Sequence, residues 1–167
     1  MASTRDIEER YKISKKNIIL EKKLSNQVFQ VISSKESSLP PVHTWNTPLN
    51  GDLDINIDRE GVWRHEEDLI KRPSLVAFFS SLLRRDGDEY FLITPAEKWR
   101  ISVDIAPFFI ISAELENYAE QSAVRMTTRT GESFLVGRKN PLWLKKIAGE
   151  PNPIPLVLVR DNMPGIV

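Results

Sequence analysis

A chain of 167 residues, 41% apolar and 28% charged, has room for one globular domain or two small ones and can bury roughly 70% of its unfolded surface. Twenty-three Lys and Arg balance twenty-three Asp and Glu, so no global field favours nucleic acid or a membrane, and no apolar run is long enough to span a bilayer. The lack of cysteine removes disulfides, thiolate zinc sites, iron–sulfur clusters and cysteine nucleophiles together.

The start, "MASTRDIEERYK", has no apolar core of a secretory signal, so a cytoplasmic location is expected. Charge is uneven along the chain. Residues 1–39 carry 8 basic and 5 acidic side chains, residues 40–107 carry 8 and 12, and residues 108–167 carry 7 and 6. These stretches are also the expected organisation: an N-terminal helix and linker, an α+β domain, and a mostly-β domain.

In the first stretch Leu20, Leu24, Val28 and Val31 or Ile32 recur at helical spacing between Lys22, Lys23, Asn26 and Gln27, which predicts an amphipathic helix. Its basic face suits packing on its own domain, or a membrane or partner surface. "SSKESSLPP" ends it.

The string "NIDREGVWRHEE", Asn56 to Glu67, has the outline of a calcium-binding EF-hand loop. Two features argue against that reading. Pro48, Asn50 and Gly51 forbid the entering helix, and Leu53, Ile55 and Ile57 alternate with polar residues as a strand requires. A hairpin turning at "DREG", with Gly61 at positive φ and Val62 to His65 returning, fits better.

"KRPSLVAFFSSLLRRDGD" predicts a helix opening at Pro73. Leu75, Val76, Phe79, Leu82 and Leu83 form its apolar stripe, Arg84 and Arg85 complement the dipole, and Asp86-Gly87 stops it. Strands follow at "EYFLIT", "KWRISV" and "APFFIISAEL". Then come a hairpin turning at Thr130-Gly131, a short strand "PLWL", a rigid loop "GEPNPIP" and a buried strand "LVLVR". "DNMPGIV" fits no class. The order describes an α+β protein of antiparallel sheets, and the glycine turns "DREG" and "TRTGE" hint at an internal duplication.

Chemistry-bearing groups are few, and no cofactor is called for. His43 and His65 read as surface histidines, and no hydrolase, P-loop or dinucleotide-binding motif is present, so an enzyme is the weaker expectation. Lys71, Arg72 and Ser74 crowd a helix start, where free N–H groups favour an anion. In "TPAEKWR", Thr94, Glu97 and Lys98 sit on a Pro-bent connection that either presents binding groups or pairs Glu97 with Lys98 or Arg100 while Trp99 fills core. Trp45, Trp63 and Trp143 read as core or interface fillers.

"PPVHTWN", "GDLDINIDREGVW", the run "IKRPSLVAFFSSLLRRDGDEYFLITPAEKWRISVDIAPF" and the closing "LVLVR" resemble domain of unknown function 1285, a bacterial family, from Pro40 to Arg160. The resemblance implies a duplicated two-domain core whose C-terminal half is pleckstrin-homology-like. It further implies a site for a nucleotide-like or other anionic small molecule at the domain interface, with a role in signalling. The positions it carries over are Arg72, Thr94, Glu97, Lys98, Asp104 and Arg160, with Asp104 and Pro107 fixing the inter-domain turn. The resulting expectation is a ligand-binding or regulatory module in which Arg72, Lys98 and Arg160 hold the anion. The alternative is an interaction adaptor using the N-terminal helix or a sheet edge.

Overall fold

The alternation at Leu53, Ile55 and Ile57 forms the first strand of a six-stranded sheet, and Ile55 and Ile57 are the residues it buries. The structure is a computed structural model describing residues 39–118 and 121–167. The expected N-terminal amphipathic helix, with any partner surface on it, lies outside the described residues.

In chain order, a short 3-10 turn at Val42–Thr44 precedes β1 (Gly51–Ile57), β2 (Trp63–His65) and β3 (Asp68–Leu69). Helix α1 (Pro73–Ser81) leads into β4 (Leu83–Asp86), β5 (Glu89–Ile93) and β6 (Lys98–Val103). The second half comprises β7 (Phe108–Tyr118), β8 (Gln121–Thr128), β9 (Ser133–Leu135), β10 (Leu142–Lys145), β11 (Ile154–Arg160) and β12 (Met163–Ile166). The protein is thus largely β, with one short helix among the described residues.

The EF-hand outline is a hairpin. Asp58 spends its Oδ1 on the backbone N–H groups of Glu60 (2.9 Å) and Val62 (3.0 Å), which closes the turn, and Gly61 takes φ +72°. Asn56 faces Asp104, donating from Nδ2 to Oδ1 at 2.9 Å. One histidine is not where the sequence put it. His65 is buried, because Trp63 and His65 share the inward face of β2 while Arg64 points out.

The helix is shorter than expected. It ends at Ser81, and the N–H of Leu82 caps it by donating to the carbonyls of Phe79 and Ser80. Leu83 to Asp86 form β4, paired with β5 from Leu83↔Leu92 to Asp86↔Glu89 across the two-residue turn Gly87-Asp88, where Gly87 has φ +62°. An Asp-Gly pair between apolar runs is a hairpin signal, and it overrides the helical propensity of the Leu-Arg stretch.

Neither sheet is purely antiparallel. The first runs β3-β2-β1-β6-β5-β4 and the second β10-β11-β12-β7-β8-β9, with β1 parallel to β6 and β12 parallel to β7. Each sheet joins two three-strand meanders at the centre through their first and last strands. Read from its other edge, the second sheet repeats the order of the first, each strand number raised by six. The turn "DREG" joins β1 to β2 whereas "TRTGE" joins β8 to β9, so the two glycine turns are not equivalent positions of that repeat.

One apolar core runs through both sheets. Ile55, Ile57, Trp63, Leu83 and Leu92 from the first, with Phe79 and Leu82 from α1 and its cap, pack with Phe108, Met126, Val157 and Met163 from the second. Fully burying such side chains stabilises by roughly 1.5–3 kcal/mol each. Trp63 and Phe79 stack at its centre, ring centroids 6.3 Å apart.

Candidate functional site

The residues named from sequence fall in three places. Lys71, Arg72 and Ser74 are exposed at the start of α1, where Arg72 is the N-cap in extended conformation, and its carbonyl accepts from the N–H groups of Leu75 and Val76. Arg160 reaches the other end of that helix. Its guanidinium donates to the carbonyl of Ser80, about 12 Å from Arg72 at 1.5 Å per helical residue.

Thr94 is buried and builds the β5–β6 turn. Its hydroxyl accepts from the N–H groups of Glu97 (2.9 Å) and Ala96 (3.3 Å), and its carbonyl accepts from the Thr47 hydroxyl at 2.7 Å. Glu97 takes the indole N–H of Trp99 at 3.3 Å, instead of pairing with Lys98 or Arg100. Arg100 meets Asp52 and Glu89, each at 3.0 Å. Lys98 lies 4.1 Å from the Phe91 ring centroid, and its Nζ donates to Asp86 at 2.8 Å.

Around Arg160 the chain assembles a polar cluster that ties α1 to the second sheet. Nε of Arg160 stands 3.6 Å from Glu132, whose Oε1 also accepts from Ser80 Oγ at 3.2 Å. The other oxygen of Glu132 accepts from the hydroxyls of Thr128 and Thr130. Burial lowers the Arg160 pKa from its ordinary value, while Glu132 and Asp161 pull it back up. With these partners Arg160 acts as a strut between α1 and the second sheet.

A cavity of about 580 Å³ opens where the two sheets meet, between the 3-10 turn, β4 and the β11–β12 turn. His43, Trp45 and Asn46 form one wall, Arg84, Arg85 and Asp86 another, and Asp161, Asn162 and Met163 the third. None of the seven sequence-named site residues lines it. Lys98 reaches its edge through Asp86.

The cavity's charges are arranged by the β4 hairpin. Arg84 donates to the carbonyls of Trp45 (2.6 Å) and Val42 (3.1 Å) and to Asp86 at 2.8 Å, so it holds the 3-10 turn in place. Burial alone would raise the Asp86 carboxyl, but hydrogen bonds from Arg84 and Lys98, with their charges, hold it below its ordinary value. Arg85 bridges the sheets by donating to the Asn162 carbonyl at 3.1 Å, and it also meets the Gly87 carbonyl (2.9 Å) and Asp88 (3.2 Å). Arg84 and Arg85 are not legible as site residues in the sequence, because the apolar spacing around them fits the end of a helix. The Asp-Gly pair that follows them was the available signal.

Residues 40–106 match the N-terminal domain of DUF1285, a domain of unknown function. A DUF1285 family protein from Silicibacter pomeroyi DSS-3 is 36% identical with a TM-score of 0.73, over 82% of this chain and 75% of that one. A second DUF1285 family protein, from Shewanella baltica OS155, is 23% identical with a TM-score of 0.52, over 68% of this chain and 83% of that one, a likeness of fold alone. No curated protein matches. By its identity to the first of these structures and the share of both chains aligned, the chain belongs to the DUF1285 family.

Proposed function

We propose that the chain is a ligand-binding, regulatory module that takes an anionic, nucleotide-like small molecule in the cavity between β4 and the β11–β12 turn. The observation that carries this reading is the setting of Arg85. Its ion-pair partner, Asp88, is fully exposed, and such a pair contributes only about 0–1 kcal/mol. A phosphate entering the cavity takes the place of Asp88 on the guanidinium fork at little cost.

The walls supply the rest of the chemistry. His43 offers an exposed imidazole, and Trp45 a half-buried ring against which a base stacks. The volume falls within the ~300–1,000 Å³ usual for small-molecule pockets. Lys98 sets the Asp86–Arg84 side of the pocket, and Arg160 precedes the turn that closes it. In this reading β7–β12 are the pleckstrin-homology-like half, a scaffold that presents Asn162. A ligand touching both Arg85 and Asn162 adds a contact across the sheets, which is what makes the module regulatory.

A thermal-shift titration of the full chain with ADP and with inorganic phosphate tests this. A ligand at 100 times its Kd stabilises by about 2.7 kcal/mol, a rise of several degrees in Tm. Arg85→Ala should abolish the rise and Arg72→Ala should leave it. The opposite result moves the ligand to the start of α1. A flat response to both probes favours the adaptor reading, which the position of β10 at the sheet edge among the described residues supports.

A further inference from the structure

The chain's electrical neutrality hides a local excess. Residues 137–149, "GRKNPLWLKKIAG", carry four cations and no anion, so the remainder of the chain carries 19 cations against 23 anions. Arg138, Lys139, Lys145 and Lys146 are all exposed, and none makes an ion pair among the described residues. The acid that follows, Glu150, is already engaged by Arg59.

Between the two basic pairs stands β10, the edge strand of its sheet. Leu142 is 50% exposed, Trp143 37% and Leu144 69%. Leu142 pairs with Val157 and Leu144 with Pro155, on one face of the sheet, while Trp143 pairs with Leu156 on the other. Both faces of an edge strand therefore present apolar side chains, as a ridge with cations at each end. Edge strands of soluble proteins ordinarily blunt themselves with charge, and the lysines here begin only where the apolar side chains stop.

We propose that this ridge docks on the surface of an anionic lipid bilayer. Leu142 and Leu144 enter the acyl boundary, Trp143 rests at headgroup depth, and the four cations meet lipid phosphates. The outer-edge backbone groups of β10, unpaired among the described residues, keep the contact interfacial, because unpaired N–H and C=O groups are not carried into hydrocarbon. Charge selects this occupant over the chain's own N-terminal segment, since residues 1–39 carry 8 basic and 5 acidic side chains and are repelled by the ridge. Leucine tips beside tryptophan favour lipid over a nucleic acid, which gains from stacking and phosphate contacts but not from aliphatic burial.

The test is co-sedimentation of the full chain with phosphatidylcholine vesicles, with and without about one-third phosphatidylglycerol. Binding is expected only with the anionic lipid, weakening as salt rises. Lys145→Glu with Lys146→Glu should weaken it by at least roughly tenfold, as should Leu144→Ser with Leu142→Ser. These positions are exposed, and unchanged thermal melting confirms folding. Arg138→Glu with Lys139→Glu provides an independent charge reversal should either pair misfold. The proposal is overturned by equal binding to neutral vesicles or by binding that survives all these substitutions.

Discussion

Gly61, in the turn between β1 and β2, rests directly on the Cβ of Phe109 at the start of β7. A side chain added at Gly61 would begin inside the contact distance that real Cβ atoms keep from Phe109. The glycine serves two ends at once, a φ of +72° that the turn needs and a close approach between the two sheets.

Gly61→Ala should therefore destabilise by about 2–4 kcal/mol, the sum of backbone strain and overpacking. Denaturant unfolding followed by tryptophan fluorescence measures it. Gly87→Ala, at a similar φ but with nothing within 4 Å, should cost only the strain, about 1–2 kcal/mol.

Arg160→Ala should cost about 1–3 kcal/mol, because it leaves the half-buried Glu132, packed against Ser80 and Thr128, without its cation. A double-mutant cycle with Glu132→Gln should recover part of that loss. A ligand-holding role alone for Arg160 would leave the unliganded protein's stability unchanged.

Stability at low pH should depend on Asp86. Its folded-state pKa is lowered from 3.8, so the stabilisation is fully present above that value and is lost as pH falls through the lower, folded one. Asp86→Asn should flatten that part of an acid-unfolding curve, with about 1 kcal/mol lost at neutral pH.

The two-residue turn between β2 and β3 is built from Glu66 at φ +48° and Glu67 at φ +69°, a left-handed pair that side chains disfavour. Glu67→Gly should stabilise by about 0.5–1 kcal/mol. Thermal melting of the single variant reads it directly.

What the sequence reveals of this fold follows the strength of local signals. Alternation gives β1, and β-branched and aromatic runs give β5, β6, β7 and β11. At Leu83 to Asp86 the apolar spacing fits a helix equally well, and only the Asp-Gly turn and pairing with β5 decide the matter. β12 is hidden for another reason. Met163-Pro164-Gly165 has poor strand propensity, yet Gly165 is required there because an added Cβ would meet Val159 at 2.9 Å and Phe108 at 3.2 Å. The parallel pairings arise where distant meanders meet, which no local pattern encodes. The cavity shares this origin, since its walls come from residues 42–46, 84–86 and 161–163. Whole-chain charge balance likewise conceals the basic ridge of residues 137–149.

The most direct test of the account is to follow the four tryptophan indole N–H signals by two-dimensional NMR while ADP is added to the full chain. Trp45 lines the cavity, Trp63 lies in the core, Trp99 donates to Glu97, and Trp143 belongs to the β10 ridge. Binding in the cavity gives a saturable shift of the Trp45 signal, absent in Arg85→Ala, with Trp63 and Trp143 unmoved. A shift confined to Trp99 would contradict it and put the ligand beside Glu97 and Lys98, and four unmoved signals would leave the cavity without a nucleotide.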